Sequence, residues 1–389
     1  MIRIEKSNLK IPIQIWVQNW EDVERNAQVQ AENLASLPFA FHHISLMPDV
    51  HSGFGMPIGG ILATENIIVP NAVGSDIGCG MIAVKTSLEN LSSEEIKRVF
   101  SKVRELIPIG LGGKHKEKMS SSLMPFRIDD NVGLICRKEY DSALYQLSSL
   151  GSGNHFCEFQ KGNDGFVWVM IHSGSRNLGA TVANFYDKLA QSINTTIPKD
   201  WDLAYLSIDS QEGQNYLLDM DCALRFALAN RQQMMKVFCE ILENKFPNIS
   251  FNKEINIHHN YASLEEHFGK QVWVHRKGAT LATKDTVGII PGSQGGNSYI
   301  VKGKGNPESF SSCSHGAGRK MGRKQAIRSL DFEKEKLELD LLGTVHSIRG
   351  KTDLDEAPGA YKDIHSVMAN QTDLVDILVE LTPLGTIKG

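Results

Sequence analysis

Apolar residues recur along this chain with two spacings, one typical of strands and one typical of helices. Short alternating or continuous apolar runs predict strands at residues 11–17, 60–63, 67–69, 81–84, 166–171, 272–275 and 299–301. Steps of mostly three and four residues predict a long helix over 214–244, with one apolar face formed by Leu217, Met220, Leu224, Leu228, Met235, Phe238 and Leu242. A helix is also predicted over 23–34, and another through Leu106, where Ser92 and Glu95 have capping-box spacing.

Strands and helices are interspersed along the whole chain, and the sequence contains no internal repeat or low-complexity linker. Candidate metal-binding residues, described below, lie on both sides of a serine-rich segment at 120–130. We therefore expect one composite α+β domain over residues 1–389, with mixed or antiparallel sheets around a central metal and nucleotide site. A flexible insertion is expected at 115–135.

Composition narrows the class of protein. The 389 residues are 41% hydrophobic and 22% charged, as in an ordinary globular protein, and the formal charge of −4 argues against a surface coated with basic residues. No apolar run is long enough to span a membrane and no secretory signal is recognisable, so we expect a cytoplasmic protein without membrane contact. Six scattered cysteines without a CxxC pair predict reduced thiols rather than a disulfide framework.

The glycine-rich stretch GSDIGCG (residues 74–80) brings a carboxylate and a thiol, Asp76 and Cys79, into one permissive loop. A thiolate can bridge two cations, and imidazoles could complete the ligand shells. By their context at loop and strand ends, His155, His172 and His259 are the candidates. A single histidine beside a strand is more often a hydrogen-bonded structural residue, and no spacing matches a zinc finger or an HExxH helix. Spacing alone therefore leaves metal binding open.

His315 lies in SCSHGAGRKMGR (residues 312–323), where small neighbours leave room for a bulky group at its ring. A helix is predicted directly after this turn, and it would carry a phosphate-binding set of cations: Arg319, Lys320, Arg323, Lys324 and Arg328. A neutral imidazole can attack phosphorus to form a phosphoramidate. The alternative is a solvated basic helix. Because phosphate-loop, dinucleotide and Lys-x-Asp-Gly ligase motifs are absent, histidine is the better candidate for a covalently bound nucleotide.

Taken together, the segments resemble the RtcB-type RNA-splicing ligase family. The matching motifs run in family order from residue 47 to the last residue: MPDVH (47–51), DIGCGM (76–81), GSGNHF (151–156) with Glu158, HSGSR (172–176), HHNY (258–261), HRKGAT (275–280), PGS (291–293), SHGAGR (314–319) and PLGTIKG (383–389). Each motif is weak by itself, but the ordered set is specific.

The resemblance implies two Mn²⁺ ions bridged by Cys79. Asp76 and His155 would complete the protein ligands of one ion, and His172 and His259 those of the other. It also implies GTP as co-substrate, with His315 attacking its α-phosphate. The implied nucleotide-binding set is Asn154, His155, Phe156, Cys157, Glu158, His259, Asn260, Pro291, Gly292, Ser293, Gln294, Ser298, His315, Gly316, Ala317, Gly318 and Lys388.

Within that set, Glu158, Ser298 and Lys388 would recognise the guanine edge, because an anionic carboxylate suits the N–H donors of guanine. Asn154, Asn260 and residues 291–294 would hold the ribose and phosphates. Asp49 and Arg176 are further site candidates without an assigned role. Gln294 and Ser75 depart from the family pattern, where Met and Val are expected, which puts substrate preference in question.

The implied reaction joins an RNA 3′-phosphate, or a 2′,3′-cyclic phosphate after opening, to a 5′-hydroxyl through histidine–GMP and RNA-ppG intermediates. One alternative is a metal-dependent 2′,3′-cyclic phosphodiesterase or RNA 3′-end guanylyltransferase on the same site, and the product would discriminate them. Another is a non-catalytic RNA- or ribosome-associated factor, against which the intact His315, Cys79 and Lys388 argue. The sequence leaves open the RNA substrate, the oligomeric state, the metal used in vivo and the need for an activating, archease-like partner.

Overall fold

Two large β-sheets form the centre of the computed structural model, which describes residues 1–389. A six-stranded sheet has the order β1-β2-β3-β4-β12-β11, and a seven-stranded sheet has the order β10-β6-β8-β7-β17-β15-β14. The strands are β1 Ile2–Ile4, β2 Ile13–Ile15, β3 Ala40–Phe54, β4 Met56–Thr64, β5 Ile67–Ile68, β6 Gly80–Lys85, β7 Phe156–Gly162, β8 Val167–Ser173, β9 Leu206–Ser207, β10 Ile255–His258, β11 Asn260–His267, β12 Lys270–Lys277, β13 Ala279–Leu281, β14 Val287–Ile290, β15 Ser298–Gly303, β16 Ser312–Ser314 and β17 Val375–Lys388.

Strand pairing is antiparallel throughout both large sheets except for β2 and β3, which run parallel. Nine α-helices accompany the sheets: α1 Arg25–Ala35, α2 Pro70–Val73, α3 Ser93–Leu106, α4 Leu134–Gln146, α5 Arg176–Ile193, α6 Gln211–Lys245, α7 Arg323–Ser329, α8 Phe332–Leu341 and α9 Ile364–Ala369. The predicted α+β class with mixed or antiparallel sheets is therefore confirmed.

Helices cover the sheets and bury their apolar faces. The 35-residue helix α6 begins after Ser210, whose hydroxyl accepts from the Gly213 N–H. Its side chains enter two core clusters, one shared with α4 and α5 and one shared with α3 and the seven-stranded sheet. Helix α1 packs on the six-stranded sheet. None of the helices is long and apolar enough to cross a membrane.

Most of the predicted elements are present. The helices expected at 23–34 and 214–244 correspond to α1 and α6, and the capping box at α3 is formed: Ser92 Oγ accepts from Glu95 N at 3.3 Å, and Ser92 N donates to Glu95 Oε2 at 2.9 Å. The strand predicted at 166–171 is β8, which extends through His172. Segment 115–135 contains one short 3₁₀ turn, and its Met124, Phe126 and Val132 are buried in the core.

Two features differ from the sequence-based expectation. The helix predicted directly after His315 begins only at Arg323. The segment before it is irregular and is held by an isolated bridge between Arg319 and Tyr361 and by the hydrogen bond from Lys320 N to the Ala360 carbonyl. The fifteen-residue strand β3 has no counterpart among the predicted strands. Its histidines, proline and aspartate interrupt any two-residue alternation, and it is held by pairing with β2 and β4 instead.

Candidate active site

A buried cluster of one thiol and three imidazoles lies where the neighbouring strands β6, β8 and β7 of the seven-stranded sheet begin or end. Cys79 Sγ is 3.4 Å from His155 Nε2 and 3.2 Å from His172 Nε2. His172 Nε2 is 3.3 Å from His259 Nε2, and His155 Nε2 is 3.1 Å from Asp76 Oδ2. The ligand atoms form two groups that share Cys79, each with all atoms within 4.8 Å of one another. The structure therefore brings together all five residues predicted as metal ligands.

Local backbone geometry places these side chains. Asp76 and Cys79 lie on the turn that leads into β6, His155 directly precedes β7, His172 belongs to β8, and His259 separates β10 from β11. Strand register aligns the groups, since Met81 of β6 and Phe156 of β7 both pair with His172. Close approach also requires glycine at Gly174, where a Cβ atom would lie 2.3 Å from Asp76 Oδ1.

Hydrogen bonds fix the orientation of two ligand rings. His155 Nδ1 is 2.8 Å from the Leu150 carbonyl oxygen, and His172 Nδ1 is 3.0 Å from that of Asn154. A carbonyl can only accept, so each Nδ1 carries a proton and each Nε2 presents a lone pair to the cluster. Burial lowers the pKa of His172 and of His259 well below the usual value, which keeps both rings neutral as metal ligation requires.

The thiol needs a cation to ionise. Burial, followed by the charge of Asp76, raises the pKa of Cys79 well above its usual value. A metal ion would reverse this preference, because a coordinating thiol is deprotonated. His259 Nδ1 is buried without a hydrogen-bond partner. The donor set of thiolate, imidazole and carboxylate, with Nε2 lone pairs converging on one sulfur, fits a pair of borderline divalent cations.

Two residues in the middle of α6 hold the metal-site loops, and sequence reasoning missed both. Arg231 Nη1 donates to the carbonyls of Gly78 and Ser173, each at 2.9 Å. Asn230 Nδ2 donates to the carbonyls of Ser149 at 3.1 Å and Gly174 at 3.1 Å. These bonds join the loops that carry Asp76, Cys79 and His155 to one rigid helix. Only polar residues on an otherwise buried helical face could have revealed them.

His315 follows β16 and contacts the fully buried carboxylate of Asp49, which lies on β3 of the six-stranded sheet. Asp49 Oδ2 accepts from His315 Nδ1 at 2.7 Å and from the backbone N–H groups of His315 at 3.1 Å and Gly316 at 3.3 Å. Although burial opposes ionisation, the His315 ring holds the pKa of Asp49 below its usual value. Nδ1 is thus committed to Asp49, which leaves Nε2 as the free nitrogen, while the ring lies 4.8 Å from that of His259, centroid to centroid.

A cavity of about 420 Å³ opens over His315 and the imidazole cluster. Most of the residues predicted to bind nucleotide line it: Asn154, Phe156, Glu158, His259, Pro291, Gly292, Ser293, Gln294, His315, Gly316, Ala317, Gly318 and Lys388. The Cys157 side chain does not. It alternates with Phe156 and Glu158 along β7 and faces the hydrophobic core, so only its backbone can border a ligand.

Asn260 and Ser298 support the cavity rather than line it. Asn260 Nδ2 donates to the Asp76 carbonyl at 3.2 Å, and its Oδ1 accepts from Gly278 N at 2.8 Å. Ser298 Oγ accepts from Gly292 N at 3.1 Å and from Gln160 Nε2 at 2.9 Å. Arg176 lies behind the metal cluster, where its Nε donates to Ser149 Oγ at 3.3 Å.

Glu158 is a buried carboxylate at one end of the cavity. Its oxygens accept from the Gln160 amide and the Thr386 hydroxyl, and Thr386 is its register partner on β17. Burial raises the pKa of Glu158 to about 7, against the opposing effect of these hydrogen bonds and of Lys388. Lys388 reaches the same cavity from the end of β17, 5.5 Å above the Phe156 ring.

The fold and the site are those of an α+β enzyme with a candidate two-metal centre beside a carboxylate-held histidine. The family model for the tRNA-splicing ligase RtcB matches residues 30–389. The RNA-splicing ligase RtcB of Escherichia coli K12 is 36% identical over 97% of both chains. The tRNA-splicing ligase RtcB of Thermococcus kodakarensis is 32% identical over 92% of this chain and 90% of its own. That of Methanococcus maripaludis is 31% identical over 99% of this chain and 96% of its own. The chain therefore belongs to the RtcB family of RNA ligases.

Proposed function

We propose that this chain is a GTP- and Mn²⁺-dependent ligase that joins RNA 3′-phosphate or 2′,3′-cyclic phosphate ends to 5′-hydroxyl ends, with His315 as the nucleophile. The observation that carries the proposal is the contact of His315 Nδ1 with Asp49 at 2.7 Å. It leaves Nε2 free in a cavity that the metal-ligand histidines His172 and His259 also line. This arrangement prepares an imidazole for attack on phosphorus.

The first step forms a nitrogen–phosphorus bond. His315 Nε2 attacks the α-phosphorus of GTP, the bond to the β-phosphate oxygen breaks, and pyrophosphate leaves. Asp49 stabilises the positive charge that develops on the ring, as a carboxylate does for an attacking or proton-accepting histidine. Mn²⁺ held by Asp76, Cys79 and His155 and by Cys79, His172 and His259 would neutralise phosphate charge and favour in-line geometry.

The next steps transfer GMP to RNA and seal the strand. An oxygen of the RNA 3′-phosphate attacks the histidine-bound phosphorus and releases His315, which gives an RNA-ppG end. A 5′-hydroxyl oxygen then attacks the 3′-phosphorus, the phosphodiester forms, and GMP leaves. A cyclic end would first be hydrolysed to the 3′-phosphate at the same site.

Selection of guanine is assigned to the end of the cavity at Glu158. Its carboxylate can accept from the N1–H and the exocyclic amine of guanine, whereas adenine offers an acceptor at the first position. Lys388, as a donor, suits the O6 acceptor. Asn154 and residues 291–294 are assigned to ribose and phosphates because they line the same cavity as Glu158 and His315.

Intact-mass measurement tests this proposal. Purified protein is incubated with Mn²⁺ and GTP, with ATP and the His315→Ala variant as controls. We expect one acid-labile GMP on the unmodified chain with GTP only, and sealed product from RNA with a 3′-phosphate and a 5′-hydroxyl. If no adduct forms, alone or with an archease-like activating protein, the nucleotidylation step is wrong. Opened cyclic phosphate or capped 3′ ends without sealing would identify a phosphodiesterase or an end guanylyltransferase.

A further inference from the structure

A second buried carboxylate, Glu356, lines the cavity, and three cations contact it. Its Oε1 is 3.1 Å from Arg319 Nη1 and 3.1 Å from Arg323 Nε, and its Oε2 is 3.3 Å from Lys388 Nζ. The Tyr361 hydroxyl donates to the same Oε2. Only 5% of the Glu356 side chain is exposed. The neighbouring Asp355 carboxylate also interacts with all three cations. Three positive and two negative charges leave a surplus of positive charge beside the cavity, which Arg319, Arg323 and Lys388 line.

The two arginines differ in what they have left to offer a ligand. Arg319 is fully engaged by protein, because its Nε donates to the Met321 carbonyl at 3.1 Å and its Nη2 donates to the Asp355 carbonyl. Arg323 uses only Nε, on Glu356, and its two terminal Nη groups make no hydrogen bond with protein. Its side chain is 51% exposed and lies against Gly153, where a Cβ atom would be 2.8 Å from Nη2.

The main chain at Glu356 has anchors besides these cations. Its carbonyl oxygen accepts from Gln294 Nε2 at 3.1 Å, and Gln294 Oε1 accepts from Ser347 N at 3.3 Å. Nearby, Gly359 N donates at 2.9 Å to Glu335, a buried carboxylate on α8. The segment that carries Glu356 is thus anchored through its main chain. This anchoring holds the Glu356 carboxylate in place beside the long side chain of Arg323. Gln294 contributes directly to this anchor through both of these hydrogen bonds.

We propose that Glu356 is a positioning residue that aims the free guanidinium fork of Arg323 at a phosphate of the RNA substrate. This inference rests on the proposed function, since it names how the same site holds RNA. An arginine held at Nε presents two parallel N–H donors, which match two phosphate oxygens. Without the carboxylate, the long side chain would lose this orientation and pay rotamer entropy on binding.

RNA, rather than the phosphates of GTP, is the assigned partner of Arg323 because of its place at the rim. From Arg323 a shallow basic surface, formed by Gly322, Arg323, Lys324, Gln325, Arg328 and Ser329, leads away from the cavity. Lys324 and Arg328 lie within 4.0 Å of no carboxylate, so their charges are uncompensated. A polymer with phosphates at regular spacing can continue along this surface, whereas a nucleotide bound beside His315 cannot.

Steady-state ligation, combined with His315 guanylylation, tests the role of Glu356. The substitutions are Glu356→Gln, Glu356→Asp, Arg323→Ala, the double variant Glu356→Gln with Arg323→Ala, and Glu338→Gln, which changes an exposed carboxylate on α8, as the control. We expect Glu356→Gln to raise the KM for 3′-phosphate RNA about tenfold, the scale of one lost charge-assisted hydrogen bond, with kcat and the guanylylation rate changed less than about threefold. Glu356→Asp should recover part of the loss, and Glu338→Gln should retain the original KM.

The double variant separates positioning from a general structural role. If Glu356 acts through Arg323, the double variant should be no worse in KM than Arg323→Ala alone. The inference would be overturned if the two substitutions raised the KM for RNA independently, so that their effects multiplied in the double variant. A rise in the KM for GTP instead of RNA, or an equal loss in Glu338→Gln, would also overturn it. A melting temperature for every variant identifies losses due to unfolding, and the cycle with Arg323→Ala stays informative for partly destabilised protein. Absence of a GMP adduct on the unmodified chain would instead overturn the proposed function.

Discussion

At the scale of single residues, the contact between Asp49 and His315 decides which ring nitrogen can react. The carboxylate accepts from Nδ1 and from two backbone N–H groups, so the ring has one orientation and one tautomer. In the proposed reaction, buried Asp49 would also carry the charge that balances an imidazolium-like phosphoramidate. The reactivity of His315 is therefore a property of a pair whose members lie 266 residues apart in sequence.

The substitution Asp49→Asn tests this pair. It keeps the size and one acceptor oxygen but removes the charge, and the amide can turn a donor towards the ring. We expect the rate of GMP-adduct formation to fall about 10- to 100-fold, the range for loss of a charge-assisted hydrogen bond. Rapid-quench intact-mass measurement checks the rate, with His51→Gln as the neighbouring control. An unchanged rate in Asp49→Asn would show that Asp49 serves only the fold.

Glu158 predicts a pH dependence of GTP binding. Because burial raises its pKa to about 7, the carboxyl loses its proton as the pH rises through neutrality, and only the ionised form accepts both guanine N–H groups. GTP affinity should therefore increase roughly tenfold between about pH 6 and pH 8. Equilibrium binding in the His315→Ala background measures it without adduct formation.

The control for that titration is Glu158→Gln, in which the step in GTP affinity near pH 7 should disappear while the titration of GTP itself remains.

The raised pKa of Glu158 has the opposite effect on the free energy of unfolding, which should fall as the pH rises. The folded state favours the protonated carboxyl, so this group stabilises the fold below the unfolded-state pKa and loses that contribution as the pH rises through about 7. A step in GTP affinity or in stability near pH 7 that persists in Glu158→Gln would show that another group causes it.

At the scale of elements, a substitution in α3 is expected to change the stability of the protein without changing its activity. Its capping box lies at Ser92, and the helix packs with the core on the face of the sheet away from the cavity. Ser92→Ala should lower the free energy of unfolding by about 1 kcal/mol and leave ligation unchanged. Urea denaturation measures the change. Ser93→Ala, at the next exposed position, should stay within about 0.5 kcal/mol of the original. Equal losses in both variants would contradict the role of the cap.

Helix α6 predicts an effect on metal binding from a residue that touches no metal. Arg231 donates to the carbonyl of Gly78, which precedes Cys79, and to the carbonyl of Ser173, which follows His172. Lysine cannot reproduce the planar fork, so Arg231→Lys should weaken Mn²⁺ binding about 10- to 100-fold. Metal titration followed by calorimetry measures the affinity. Arg225→Lys, the same change at a position of α6 that contacts Pro125 and Phe126 instead of the metal site, is the control and should leave the affinity unchanged.

At the scale of the whole molecule, the site joins parts of the chain that are distant in sequence. Cys79, His155 and His172 come from the seven-stranded sheet, Asp49 comes from the six-stranded sheet, and His259 lies where β10 of one sheet passes into β11 of the other. Cations bound to Cys79, His155, His172 and His259 would cross-link these elements. Metal binding is therefore coupled to folding of the whole domain.

Mn²⁺ should consequently raise the melting temperature, and a chelator should lower it. At a free concentration one hundred times the dissociation constant, one bound ion adds about 2.7 kcal/mol to the free energy of unfolding. Differential scanning calorimetry with Mn²⁺ or chelator measures the shift. Cys79→Ser should lose most of it, and Cys239→Ser, which changes a cysteine outside the site, should keep it. A Mn²⁺ shift that survives in Cys79→Ser would place the stabilising ion elsewhere.

Local patterns in the sequence were sufficient for several parts of this protein. A helix such as α6 is defined by its own three- and four-residue periodicity, and the capping box at Ser92 involves residues three positions apart. The ligand candidates Asp76, Cys79, His155, His172 and His259 stand in short glycine- or strand-bounded motifs, and the ordered motifs indicated the family. These features depend on neighbours in the chain, so the chain alone specifies them.

Tertiary structure decided what depends on distant partners. Strand β3 exists because β2 and β4 pair with it, and the irregular segment after His315 is held by its bridge from Arg319 to Tyr361. The inward register of β7 turns Glu158 to the cavity and Cys157 to the core. Asn230, Arg231 and Glu356 acquire their roles only from carbonyls and cations far away in sequence. Hydrogen bonds and burial across such separations have no local signature, which is why only the folded chain reveals them.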